Sequence, residues 1–234
     1  MAVSRYKVAS IGNPVPDVKI FKLEPLEGKV PQFFPGQFAF IHLLDESGNS
    51  VLKRPYSIAS SPSSPYLEFG IEMRGGQMTS KLQKLESGAI VGIEGPLGHM
   101  AYKGEKKAAF IAGGVGITPF ISSLRYIAEK KIQGTFVLFY SVRSADRIVY
   151  KDELESLQKK NPGIKAVITL TREAPPGWVG ECGRINDALI SKHLPEAKEF
   201  DWFLCGPPEM VKGVRACLEG LGADPKKIKM EGWG

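Results

Sequence analysis

Arg54, Pro55, Tyr56 and Ser57 bring a guanidinium, a fixed bend, an aromatic ring and a hydroxyl into four consecutive residues of the run RPYSIAS. A guanidinium offers paired N–H donors to a phosphate or carboxylate. A tyrosine ring stacks on a flat partner. The alternating run GQFAFIHL, from Gly36 to Leu43, precedes them and reads as an extended strand. Such a strand can hold a phosphate, a planar ring system and the polar edge of that ring together, and a flavin has all three. The same four residues also fit an ordinary strand with a solvated arginine and a core tyrosine, so other stretches must decide.

FIAGGVGITPF, Phe110 to Phe120, reads as a buried strand, a glycine-rich turn and a helix start, with Pro119 at an early helical position. Glycines there let backbone amides approach a diphosphate, which then lies on the positive helix end. The spacing G-G-x-G-x-T-P differs from the dinucleotide fingerprint G-x-G-x-x-G, and a tight turn without ligand is the alternative. GGQMTSKL, Gly75 to Leu82, repeats the arrangement on a smaller scale. Two glycines precede a helix whose first turn offers free amides and the Thr79 and Ser80 hydroxyls to a second phosphate. Any capped helix after a turn looks similar. LCGPPEM ends a strand on Cys205, and a single cysteine of that kind is commonly a small buried hydrophobe. MEGWG ends an apolar strand on Glu231 and Trp233, which suits either a docked tail or closure of the last strand.

At 234 residues the chain can supply two domains, each of about 100–130 residues with its own core. Hydrophobic residues make up 43% and charged residues 24%, a globular balance. The net charge of +6, from 31 basic and 25 acidic residues, is spread along the chain without a basic block. It suits anionic small ligands or an acidic protein partner, and no nucleic-acid signature accompanies it. The start MAVSRYKVAS has no apolar segment behind a basic head, so no signal peptide is expected. No apolar stretch approaches the roughly 20 residues of a bilayer span. Cys182, Cys205 and Cys217 form no C-x-x-C pair, which argues against a disulfide framework, a zinc site or an iron–sulfur cluster. A cytoplasmic location is the default for such a chain. His42, His99 and His193 share no spacing, and neither a metal site nor a Ser–His–Asp set is expected.

The elements that must position these residues fall into two textures that meet near residue 105. Residues 1–104 hold short apolar runs broken by Pro, Gly and Ser, which predicts an antiparallel barrel or sandwich. One helix is expected inside it, Thr79 to Ser87, with a Thr–Ser start suited to capping. Residues 105–234 alternate strand and helix, which predicts a parallel doubly wound sheet. Five strands are expected there: AAFIAGG, TFVLFYS, IKAVITLT, DWFLCG and IKMEGW. Helices are expected at Pro119–Lys130, Tyr150–Lys159, Asn186–Ser191 and Pro208–Leu221.

With these stretches in place, the chain resembles the ferredoxin–NADP(H) reductase superfamily over essentially its full length. RPYSIAS is similar to that family's flavin motif R-x-Y-S/T, and GGQMTS to its flavin-phosphate loop G-x-x-S/T. GGVGITP is similar to the pyridine-nucleotide loop G-G-T/V-G-I-T-P, and CGPPEM to C-G-x-x-x-M. Each match is modest, and all four in the family's order are specific. The resemblance implies a six-stranded antiparallel Greek-key barrel that binds flavin (1–104), then a five-stranded parallel nucleotide-binding domain (105–234). It implies FAD in preference to FMN, with NADPH or NADH as co-substrate.

Carried over residue by residue, the resemblance pairs Arg54 with the flavin phosphate and stacks Tyr56, after Pro55, on the flavin ring. Ser57 hydrogen-bonds the ring's reactive nitrogen. Gly75, Gly76, Gln77, Met78 and Thr79 hold the phosphate, while Gly114, Gly116, Thr118 and Pro119 line the nicotinamide nucleotide. Cys205, Gly206 and Pro207 lie beside the nicotinamide. Glu231 serves the proton or hydride step, and Trp233 covers the flavin face opposite Tyr56. The chain departs from relatives ending in Glu-x-aromatic by adding Gly234. Thr171-Arg172 resembles the family's Ser–Arg pair that contacts the extra phosphate of NADPH, and Arg184 falls where a second contact is expected. At the end of the second strand, where an acid would bind ribose hydroxyls, YSVRSADR puts Arg143 ahead of any acid. Three arginines lean the reading towards NADPH, although NADH-using relatives can keep similar arginines. The activity implied is hydride transfer from the nicotinamide to bound flavin, then electron transfer to a ferredoxin, a flavodoxin or another acceptor. The rival readings are a free-flavin or oxygenase reductase component and an electron-transfer subunit of a larger complex.

Overall fold

The computed structural model describes residues 2–232. Its first half is built from β1 (Ser4–Val15), β2 (Val18–Pro25), β3 (Phe38–Leu44), β4 (Ser50–Ser57), β5 (Leu67–Glu72) and β6 (Ile90–Leu97). They form an antiparallel sheet in the order β4-β3-β6-β1-β2-β5. Alternate residues point inward, as the two-residue strand period requires. Tyr6, Val8, Phe21, Leu23, Ile41, Leu67 and Phe69 meet in one buried cluster. Just past β4, the Ala59 N–H donates to the Glu68 carbonyl of β5 at 2.7 Å. The two ends of the sheet are thereby drawn together, which limits exposed strand edge.

The helix of this half, α1 (Gln77–Leu82), starts and ends earlier than expected. Gly76 is its N-cap and no side chain caps it, because the Thr79 hydroxyl donates back to the Gly76 carbonyl at 3.2 Å. After Leu82 the amides of Lys84 and Leu85 turn to the carbonyls three residues back. The helix therefore tightens into turns before Ser87.

The second half contains β7 (Lys107–Gly113), α2 (Thr118–Glu129), β8 (Thr135–Val142), α3 (Lys151–Lys160), β9 (Ile164–Leu170), β10 (Glu181–Cys182), α4 (Asp187–His193), β11 (Asp201–Gly206), α5 (Pro208–Gly220) and β12 (Ile228–Gly232). The parallel sheet runs β10-β9-β8-β7-β11-β12. It has six strands where five are expected. The addition is β10, whose two residues pair with Thr169 and Leu170 and are too few to display a period. Both faces are covered. Ala108, Phe110 and Ala112 of β7 enter one core cluster, and Ala109 and Ile111 enter the other. β7 is flanked by β8 on one side and β11 on the other, so strand order reverses there. Doubly wound sheets bind ligands at the carboxyl ends of strands at such a reversal.

The two halves share a core. Met100 and Tyr102, at the end of the barrel segment, pack in the same cluster as Phe110, Phe136 and Phe203, joined by Val18 and Ala59. Among the described residues, no helix is long and apolar enough to cross a membrane.

Candidate active site

β4 is an edge strand, and Pro55 sits in it without a backbone N–H to leave unpaired. Arg54 is exposed, and among the described residues its guanidinium bonds the Lys53 carbonyl at 2.8 Å. Its remaining donors are open to an oxyanion. Tyr56 is half-buried, and burial pushes its hydroxyl up to about 12 against the opposing charge of Arg54. The ring is therefore a neutral phenol at physiological pH. Ser57 is buried at the end of the strand.

α1 packs beside β4. Gly75 adopts φ +75°, a conformation that L side chains rarely adopt, with open space around it. Gly75, Gly76 and Gln77 are exposed. Met78 is not: its side chain lies in the barrel core, so of the expected phosphate contacts it can offer only its backbone amide.

A cleft of about 790 Å³ opens at the carboxyl ends of the parallel strands. Gly114, Arg143, Thr171, Arg172, Arg184 and Pro207 line it, all as expected for nucleotide contacts. Gly114 has φ +54° and nothing within 4 Å of where a side chain would stand. Gly116, Thr118 and Pro119 do not line the cleft. A Cβ at Gly116 would stand 2.4 Å from the Cys205 carbonyl, so that glycine is required by close backbone approach. Thr118 is buried, and its hydroxyl donates to the Val115 carbonyl at 3.0 Å. Pro119 is buried in α2. These three set the turn that presents Gly114.

The cleft's charge is uneven. The Arg172 N–H donates to the Arg143 carbonyl at 3.1 Å, so the ends of β8 and β9 hold these two arginines side by side. Arg74 pairs with Glu72 at 2.8 Å, and Arg147 with Asp17 at 3.2 Å. Arg143, Arg172 and Arg184 have no such ion pair among the described residues. Glu72 and Arg74 come from the barrel and were not expected in the cleft. No local sequence signal marks them, because they reach it only through apposition of the two domains. Asp146 also lines the cleft and accepts from the Ser144 hydroxyl at 2.5 Å.

The remaining residues converge at the seam between the domains. Cys205 and Glu231 are register partners on β11 and β12. A Cβ added at Gly98, just past β6, would stand 3.0 Å from Glu231 Oε1 and 2.9 Å from the Phe38 ring. Phe38 in turn is the cross-strand partner of Ser57. Ser57, Phe38, Gly98, Glu231 and Cys205 thus form a continuous path from β4 to the last strand of the parallel sheet. Phe38 and Gly98 carried no sequence signal of their own. Burial raises the Glu231 carboxyl to about 7, with the Met100 amide opposing. Burial, helped by the Glu231 charge, raises the Cys205 thiol well above its usual value. Cys205 is therefore a neutral spacer, not a thiolate. Trp233 lies outside the described residues.

The sequence matches two family models, the oxidoreductase FAD-binding domain over residues 6–102 and the oxidoreductase NAD-binding domain over residues 110–216. The chain belongs to the ferredoxin reductase-like family. The family's two-domain fold is also that of the ferredoxin NADP+ reductase from Neisseria gonorrhoeae, solved with FAD and NADP bound. That structure has TM-score 0.83 and 23% identity over 99% of both chains. Curated relatives include the glycine betaine monooxygenase reductase subunit of Pseudomonas aeruginosa, 31% identical over 86% of this chain. Another is NADH-cytochrome b5 reductase 2 of Mycosarcoma maydis, 32% identical over 74% of this chain. The chain spans 56% and 51% of the length of those two relatives. The geometry of this ferredoxin reductase-like chain fits the groups its family binds: a nearly unengaged arginine on an edge strand, an open glycine turn, and a cleft whose three arginines lack ion pairs among the described residues.

Proposed function

We propose that the chain takes hydride from NADPH onto bound FAD and delivers electrons to a protein acceptor, as the reductase partner of a ferredoxin, a flavodoxin or an oxygenase. The observation that carries this reading is the continuity from Ser57 through Phe38 and Gly98 to Glu231 and Cys205, which joins β4 to β11, the strand that leads into Pro207 of the cleft. FAD, when bound, supplies the conversion of a two-electron donor into one-electron steps.

The protein's own residues bind, orient and shield. Arg54 and the exposed amides around Gly75 and Gly76 bind phosphate oxygens. Tyr56 forms one wall of the ring site, and Trp233 is proposed as the wall that nicotinamide displaces. Ser57 orients a hydroxyl towards the ring edge. Gly114 brings backbone to the nucleotide diphosphate, and Arg143, Arg172 and Arg184 bind the further phosphate of NADPH. Cys205 and Gly206 pack beside the nicotinamide. Glu231, raised to about 7, holds or releases a proton near neutrality at its carboxyl oxygen.

A second nucleotide reading rests on Asp146, since a carboxylate near the end of the second strand suits the ribose hydroxyls of NADH. The relatives named for NADH are in keeping with it. The three free cysteines fit the expected reducing cytoplasm, and the basic surplus fits an acidic acceptor. Steady-state assays with NADPH and NADH, each against a small one-electron acceptor and against free flavin, test the reading. Turnover of the small acceptor with flavin retained through gel filtration supports a bound-flavin reductase. Turnover only when free flavin is added points to the free-flavin reductase instead.

A further inference from the structure

α2 carries the nucleotide turn at its N-terminus, yet one polar face of it is spent on the barrel. Ser122 Oγ donates to the Ser60 carbonyl at 2.6 Å, and Ser61 Oγ donates to Glu129 Oε2 at 2.5 Å. Between them, Arg125 Nη1 donates to the Ala59 carbonyl at 2.7 Å and to Glu68 Oε1 at 2.9 Å. Thr118 lies on the same face, its methyl directed at Gly70 of β5. Positions 118, 122, 125 and 129 recur at helical spacing, so a single side of the helix makes every one of these contacts. Their targets, Ala59, Ser60 and Ser61, follow the flavin strand directly.

The centre of this face is a buried ion network. The Glu68 side chain is 3% exposed and that of Arg125 14%. Glu68 also accepts from the Tyr150 hydroxyl at 3.1 Å. Arg125 is clamped from its other edge by Glu153 through Nε at 2.6 Å and Nη2 at 2.8 Å, and it stacks on the Tyr150 ring. Among the described residues, both side-chain donors to this barrel carboxylate, Arg125 and Tyr150, therefore come from the nucleotide domain. Apolar contacts would tolerate sliding, whereas a guanidinium clamped bidentately by Glu153 holds its remaining Nη1 at a set point between the Ala59 carbonyl and Glu68 Oε1. A buried pair of this kind is commonly no more stabilising than an apolar replacement, and its contribution is definition of geometry.

We infer that the Thr118–Glu129 face of α2, centred on Arg125 and Glu68, is a positioning latch that sets the angle between nicotinamide and flavin. It acts through the helix, with the flavin strand's tail at one end and the Gly114 turn at the other. The inference rests on the proposed hydride transfer for its kinetic readout, but the latch itself is a property of the chain. Displacement of reacting atoms by about 1 Å can lower a rate roughly a hundred-fold.

The test uses the FAD-loaded 234-residue chain with Arg125→Met, Glu68→Gln and the double variant. Retained FAD, nucleotide affinity within about three-fold of wild type, and flavin reduction at saturating nucleotide at least about ten-fold slower are expected. The double variant should be no slower than Arg125→Met. The long-wavelength absorbance of stacked nicotinamide and flavin should weaken in parallel. A reduction rate within about two-fold of wild type, or a loss of FAD and nucleotide affinity that accounts for the whole rate change, overturns the latch. If Arg125→Met does not fold, Ser122→Ala removes one bond of the same face without stranding a charge. It should slow reduction about three-fold at unchanged affinity, and an unchanged rate there overturns the latch. Small-angle scattering of the chain without flavin keeps the two ideas separate. If wild type takes up no flavin, the functional reading fails, yet the latch still predicts a wider spread of domain orientations in the folded Arg125→Met variant than in wild type. Indistinguishable scattering from the two would overturn it.

Discussion

Cys205 and Glu231 stand side by side on adjacent parallel strands, and the Glu231 carboxyl reaches from there to Gly98 of the barrel. The pair places one ionisable group at the seam where the two bound rings would meet. Burial raises that carboxyl from 4.5 to about 7. Between those values the folded chain keeps a proton that the unfolded chain has lost. Linkage then makes this group's contribution to stability fall as pH rises through that window, with the full penalty present above it and none below 4.5. Glu231→Gln should therefore gain stability relative to wild type between about pH 5 and about pH 8. Denaturant titrations at both ends of that range check the sign. The same substitution should remove an inflection near neutrality from the pH profile of flavin reduction, and a profile identical to wild type would remove Glu231 from the proton step.

Gly116 has no room for a methyl group, because the Cys205 carbonyl would lie 2.4 Å away. Gly116→Ala should destabilise the chain by about 1–3 kcal/mol. Thermal unfolding should drop by about 2–4 °C for each kcal/mol. Nucleotide affinity should fall as well, since the displaced turn carries Gly114. Gly213 lines the same cleft with open space around it. Gly213→Ala, inside α5, should therefore leave the turn unchanged and raise stability by about 0.5–1 kcal/mol.

Among the described residues Arg143, Arg172 and Arg184 make no ion pair, so their replacement should be read in affinity more than in stability. Arg172→Ala should raise the KM for NADPH about ten- to a hundred-fold, as expected for a lost bond to a charged phosphate. The KM for NADH should change little. High salt should weaken NADPH binding more in wild type than in the variant. Equal effects on both nucleotides would support the Asp146 reading, in which the extra phosphate has no partner here.

Arg54→Ala should weaken flavin retention, because the guanidinium's remaining donors face outward from an edge strand. Trp233→Ala should keep flavin and change nicotinamide affinity. Fluorescence titration with FAD and with nucleotide separates the two outcomes. Equal flavin loss in both variants would show that the tail does not act as a displaceable wall.

β4 was legible as a strand because it follows an alternating run and carries its side-chain chemistry in consecutive residues, and the glycine turn because its constraint is local. Strand periods of two and helix periods of 3.6 separated the barrel from the parallel sheet. The sixth parallel strand escaped because Glu181–Cys182 is shorter than any period. α1 was drawn too long because Leu82 and Leu85 keep a helical spacing while the amides of Lys84 and Leu85 already turn to carbonyls three residues back. The latch was illegible for a different reason. Arg125 meets Glu153 across 28 residues and Glu68 across 57, while Tyr150 meets Glu68 across 82. No spacing rule links positions so far apart, and each residue alone resembles a solvated charge or a core ring. Glu72 and Arg74 reached the nucleotide cleft in the same way, by domain apposition.

The central claim is that one chain holds a flavin and a nicotinamide nucleotide in reacting contact. Its most direct test is the visible spectrum of the FAD-loaded protein, recorded without oxygen before and after one equivalent of NADPH or NADH. Rapid loss of the oxidised flavin absorbance, faster with NADPH, is the predicted result. A chain that takes up neither FAD nor FMN, or whose bound flavin keeps its oxidised spectrum with both nucleotides, would contradict the account.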